Sequence, residues 1–161
     1  MDESTKGFSL IELLIVVAII LIIAAIAIPS FLRSRVAANQ ASAVASLRTL
    51  NTAEVSYALT FNTGYTVDMS SLAPPVPADG PPTASAAGLI DSILATGFKS
   101  GYSFTYTPGP SDSAGAINSY AINGAPVSVN TGSNYYYTDQ SGVIRQNSTT
   151  TATPSDSPLA G

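Results

Sequence analysis

Between Phe8 and Ile28 the chain is apolar at almost every position and holds one ionisable side chain, Glu12. As a helix rising about 1.5 Å per residue, such a run covers roughly 30 Å, the thickness of a bilayer core. A carboxylate at membrane depth costs about 3 kcal/mol on insertion scales, so Glu12 calls for a cation or a set of donors. The run itself contains no Lys or Arg to supply one. A cleaved secretory signal fits poorly. Its apolar core is shorter, about 7–15 residues, and its small-residue site follows the core. Here the conspicuous small residue, Gly7, precedes the run.

Composition narrows what the remainder can do. The chain has 161 residues and no Cys, His or Trp. Disulfides, zinc sites of the usual Cys/His type and a catalytic Cys or His are therefore excluded. Only 10% of residues are charged, the formal net charge is -4, and no basic run marks a nucleic-acid surface. No phosphate-cradling glycine loop is present. The sequence assigns no catalytic residue, no metal ligand and no cofactor. Past the apolar run there is enough chain for one small domain with one core.

Lys6-Gly7 followed by Phe8-Ser9-Leu10-Ile11-Glu12 and an apolar helix resembles the leader and N-terminal segment of type IV pilins and type II secretion pseudopilins. Pro29 stands where many members of that family have a proline. The resemblance implies cleavage between Gly7 and Phe8 by a prepilin peptidase and N-methylation of the new Phe8 amine. It implies a structural subunit rather than an enzyme. It implies a precursor held in the bacterial inner membrane by a single pass with a cytoplasmic N-terminus, and a mature form in an extracellular pilus. The charges flanking the run, Lys6 before it and Arg33 and Arg35 after it, do not by themselves give that orientation. The implied partners are other copies of the chain, the peptidase, an assembly ATPase and an inner-membrane platform. In a filament the Phe8 amine of one copy would neutralise Glu12 of a neighbour and set their stagger. The plainer reading of Glu12 is a carboxylate favoured by the helix dipole near the helix start.

Three functions are open on these grounds. The first is a type IV pilus subunit that polymerises through its N-terminal helix. The second is a pseudopilin of a type II secretion or DNA-uptake system. The third, from another class, is a membrane-anchored periplasmic ligand-binding domain.

The expected fold is α+β, a long N-terminal helix packed on a small antiparallel sheet. Its parts are a leader (1–7), a transmembrane and filament-core helix (8–29), a globular domain including the amphipathic half of the helix (30–147) and a disordered tail (148–161). The helix is expected to pass Pro29 with a kink and to run to Phe61, with Val44, Leu47, Leu50, Tyr57, Ala58 and Phe61 as its buried stripe. Asn62-Thr63-Gly64 then ends it. Residues 65–100 read as a connector, surface-exposed in the resembled family. The Pro-rich 74–82 lies at its middle, and a short helix over 86–96 buries Leu89, Ile90, Ile93 and Leu94. About four strands are expected from 102–106, 117–122, 127–129, 135–138 and 143–145, with a hairpin turn at Asp139-Gln140-Ser141-Gly142.

Other features have plainer explanations. Tyr135-Tyr136-Tyr137 reads first as strand packing and second as an adhesive surface. Asp112, Asp139 and Asp156 are too scattered for the 6–8 oxygens that calcium takes. Asn147-Ser148-Thr149 is a glycosylation sequon of a kind common by chance, and the Ser/Thr-rich tail could carry O-linked sugars.

Overall fold

The computed structural model describes residues 7–77 and 80–159. The first six residues of the leader, Ala78 and Asp79 of the Pro-rich connector, and the last two residues of the tail lie outside that set. The chain divides into two compact units, Met1–Arg35 and Val36–Gly161.

Helix α1, Leu10–Phe61, contributes to both units. From Leu13 to Ile28 it is apolar on all sides, because the sequence offers no polar face there. It is long and apolar enough to cross a membrane, and none of its most apolar 18 residues is buried. It is helical through Pro29, so the proline is not a helix end. Proline has no N–H for the Ala25 carbonyl, which loses one intrahelical bond there.

In the second unit α1 buries Ala43, Ser46, Leu47, Leu50, Ala53, Glu54 and Tyr57. Of the expected stripe, Leu47, Leu50 and Tyr57 are buried, Val44 and Phe61 pack on the core's margin, and Ala58 is half-buried. The small residues Ala43, Ala53 and Ser46 also face inward, where they let the sheet approach the helix. Beyond α1 the chain forms a 3-10 turn, Met69–Leu72, then helix α2, Ser92–Ala95. The strands are β1 (Phe98–Lys99), β2 (Tyr102–Pro108), β3 (Tyr120–Pro126), β4 (Tyr135–Asp139) and β5 (Arg145–Asn147). They form one antiparallel meander in chain order.

Period-2 alternation in β2 and β3 turns Tyr102, Phe104, Tyr120 and Ile122 into the core. Gly124 is paired with both Phe104 and Tyr136, and a Cβ there would stand 3.3 Å from the Phe104 ring. Asn51 of α1 reaches across to the sheet. It donates to the Thr138 hydroxyl at 2.8 Å and accepts from the Tyr120 hydroxyl at 3.0 Å. Asn39 likewise donates to the Thr131 carbonyl at 3.0 Å.

Several expectations are corrected. The connector is not merely a surface region: besides the expected Ile90 and Leu94, it places Met69, Leu72 and Ala87 in the core. The helix expected over 86–96 shrinks to Ser92–Ala95 because the Asp91 side chain caps it by accepting from the Leu94 amide at 2.9 Å. The chain before it is extended instead, with Ala87, Gly88 and Leu89 bonded to residues 71–73. Ile93 consequently points to solvent.

The strand expected at 127–129 is a turn, closed by the Thr131 amide on the Ser128 carbonyl at 3.0 Å, and it leaves Val129 exposed. Ile117 lies before β3 and bridges Gly64 and Ser111, while β5 begins at Arg145 rather than at Val143.

The tail is bound over its described part, 148–159. The Gln146 amide donates to Ser157 at 3.1 Å, the Leu159 amide donates to Ile144 at 2.8 Å, and Ala152 is buried. These contacts cover the outer edge of β5, where unpaired strand groups would otherwise face solvent. The Asp139–Gly142 turn is as expected, closed at 2.9 Å with Gly142 at a φ of 72°.

Candidate processing and assembly segment

Gly7, Phe8 and Ser9 precede α1 without regular structure. Among the described residues a Cβ on Gly7 would meet nothing within 4 Å, so no packing there asks for glycine. Phe8 is 79% exposed.

Glu12 occupies the third position of α1, and its Oε2 accepts the Ser9 backbone N–H at 2.9 Å. The Leu13 amide in turn reaches the Ser9 carbonyl at 3.3 Å. This is the carboxylate half of a capping box, in which an acid three residues into the helix satisfies an orphan amide at its start. Glu12 makes no ion pair among the described residues, where the one ion pair is Lys99–Asp91 at 2.8 Å. The carboxylate is thus held by an amide one residue from the Phe8 nitrogen, and its other oxygen has no hydrogen bond among the described residues. Beyond it, large apolar side chains from Ile11 to Leu32 stand exposed.

The candidates in the second unit are not brought together. The Asp112 carboxylate accepts from the Ala114 and Ala116 amides and from the Asn118 side chain. Asp139 accepts from the Ser141 amide at 2.9 Å. Asp156 accepts from Asn147 Nδ2 and from the Thr153 amide and hydroxyl. Each acid closes its own turn or strap. For Asp112 and Asp156 these donors, and for Asp91 chiefly Lys99, hold the carboxyl below its ordinary range.

Among the described residues no group of three or more His, Cys, Asp or Glu could hold a metal ion. Asn147 of the sequon spends its amide on Asp156 and its carbonyl on Thr149 and Thr150. In the tyrosine run Tyr136 faces the core beside Tyr102, with ring centroids 5.8 Å apart. Tyr137 is also covered, and Tyr135 is half-exposed.

Sequence reasoning missed Glu54. It is fully buried and bonded to Thr66 at 2.6 and 3.0 Å. An acid four residues after Leu50 and three before Tyr57, both on the stripe, was the available signal.

Comparison with known proteins bears on the N-terminal segment. Residues 4–28 match the model of the prokaryotic N-terminal methylation motif. The chain carries a prepilin-type N-terminus. It is similar to the type IV major pilin protein PilA of Myxococcus xanthus, with 52% identity over 56 residues, 35% of this chain and 26% of that protein. It is also similar to the type IV wide pilus major component PilA4 of Thermus thermophilus. That identity is 44% over 69 residues, 43% of this chain and 47% of the relative. The matches thus span about a quarter and about half of these relatives' lengths. No solved structure matches.

Proposed function

We propose that this chain is the structural subunit of a type IV pilus and polymerises through its N-terminal helix into a surface filament. The observation that carries the reading is the exposed, membrane-length apolar face of α1, which starts at the methylation motif. Such a face is stable in lipid or against other copies of itself. Exchanging one for the other conserves apolar contact, so transfer from membrane to filament need not be costly.

A peptidase would cut between Gly7 and Phe8 at the cytoplasmic face of the inner membrane and methylate Phe8. The indifference of the fold to a side chain at Gly7 supports a requirement imposed by that enzyme. Release of the Phe8 amine would supply a cation for Glu12, within the chain or from a neighbour in the fibre. Pro29 would kink the helix where it leaves the filament core. An assembly ATPase and a platform protein would drive extraction from the membrane. The second unit, Val36–Gly161, would be the outer unit that coats the fibre, and the chain would have no catalytic role. The pilus reading is favoured over a pseudopilin because both relatives are named as major pilus components.

Deleting this chain from its host tests the proposal. Loss of sheared surface fibres, restored by the wild-type chain, is expected. Unchanged fibres in the deletion strain would contradict it.

A further inference from the structure

The second unit contains a buried acid remote in sequence from the N-terminal segment. Glu54 of α1 has no exposed surface. Its Oε1 takes the Thr66 hydroxyl at 2.6 Å and its Oε2 takes the Thr66 amide at 3.0 Å. Thr66 is buried as completely, and its carbonyl accepts the Tyr106 hydroxyl at 2.9 Å. Behind the pair stand phenol rings. Tyr106 of β2 stacks on Tyr120 of β3 at 5.9 Å, and Tyr65 meets Tyr120 edge-on at 4.8 Å. The titratable groups acting on Glu54 are therefore Tyr106 from β2 and Tyr120 from β3, both neutral at ordinary pH. No Lys or Arg pairs with Glu54 among the described residues.

A carboxylate without a counter-charge is costly in such a place, and burial strengthens the hold of Glu54 on its proton. Burial without a counter-charge favours the neutral acid and outweighs the two Thr66 donors, which favour the anion, though both states can keep two hydrogen bonds. With the anion, both oxygens accept. With the neutral acid, the Thr66 hydroxyl rotates to accept from Oε1–H while Oε2 still takes the amide.

The residues just before Thr66 hold the end of α1 against the β2–β3 connection. The Tyr65 amide donates to the Ile117 carbonyl at 2.7 Å, and Gly64 bridges Ile117. We propose that Glu54 is a proton-operated latch: its neutral carboxyl fastens the 62–66 turn to α1, and losing the proton loosens that turn and its contact with Ile117. The latch belongs to the outer unit and does not depend on whether the chain polymerises.

Hydrogen exchange of the full chain in detergent tests this. Exchange of a peptide covering 62–66 is divided by that of a peptide covering β3 in the same sample, which removes the intrinsic pH dependence. The ratio is expected to rise several-fold from mildly acidic to mildly alkaline pH in the wild type and to stay level in Glu54→Gln. A level ratio in the wild type, or an equal rise in the variant, would overturn the latch. If Glu54→Gln does not fold, infrared spectra of the Glu12→Gln chain decide. A protonated carboxyl stretch persisting where an exposed glutamate is ionised supports the latch, and its absence refutes it.

Discussion

Glu12 caps the helix that carries it: its carboxylate accepts the Ser9 amide proton at 2.9 Å. The cap needs an oxygen, whereas pairing with a neighbour's amine needs a charge, so two substitutions separate them. Glu12→Gln keeps an acceptor and removes the charge, while Glu12→Val removes both. Both variants are expected to insert in the membrane. If the charge sets subunit stagger, both lose surface fibres; if capping is the whole role, Glu12→Gln makes fibres normally. Quantifying sheared fibres against membrane-bound chain separates these outcomes.

Asp156 fastens the C-terminal strap through Asn147 and Thr153, and Arg145 reinforces it by donating to the Asp156 carbonyl at 2.9 Å. With no cysteines in the chain, these bonds do what a covalent closure would do. Asp156→Ala should free residues 148–159 and uncover β5. Limited proteolysis is expected to trim the variant's tail under conditions that leave the wild type intact, and the trimmed product should self-associate through its open edge.

Gly64 has a φ of 79°, and a Cβ there would collide with the Ile117 backbone. Left-handed backbone alone costs a non-glycine residue roughly 1–2 kcal/mol, and the collision adds to that. Gly64→Ala should therefore destabilise the outer unit by more than about 1 kcal/mol. Leu50→Ala, at a fully buried position, should cost about 2–5 kcal/mol. Denaturant unfolding of the full chain in detergent checks both.

Two classes of carboxyl give stability opposite slopes with pH. Asp68, Asp91, Asp112 and Asp156 titrate below their ordinary value, so their contribution is present above about pH 4 and is lost as pH falls through their folded values. Glu54 titrates above its ordinary value. Its contribution is complete below that value and is lost as pH rises to the folded one. Stability should thus peak on the acidic side of neutrality. In Glu54→Gln the alkaline decline should flatten while the acid decline remains. Melting temperatures measured across pH test both limbs.

What was legible in the sequence followed from short-range signals. The apolar run from Phe8 gave the membrane-length helix, alternation gave the buried face of β2, and Asp139–Gly142 gave the last hairpin, whereas β4 buries Tyr136, Tyr137 and Thr138 in succession. Long-range competition defeated the rest. Ile93 has helical spacing with Leu89 and Ile90, but the Asp91 cap and the pairing of 87–89 with 71–73 begin the helix too late to bury it. The Ser/Thr-rich tail has the composition of a loose end, yet Ile144 and Gln146 offer it an edge to pair with. Glu54 was hidden for a similar reason, since its partner Thr66 becomes visible only when the turn after α1 folds back. Gly7, Phe8 and Glu12 stand out by order and spacing along the chain, and residues 4–28 match the methylation motif; their individual roles in processing and assembly are proposals.

The most direct test of the central claim is the mass of the N-terminal peptide from sheared surface fibres. The account predicts a chain beginning at Phe8 with a methylated amine, abundant in the fibre fraction. A chain that keeps Gly7 and the residues before it, or one confined to membranes, would contradict it.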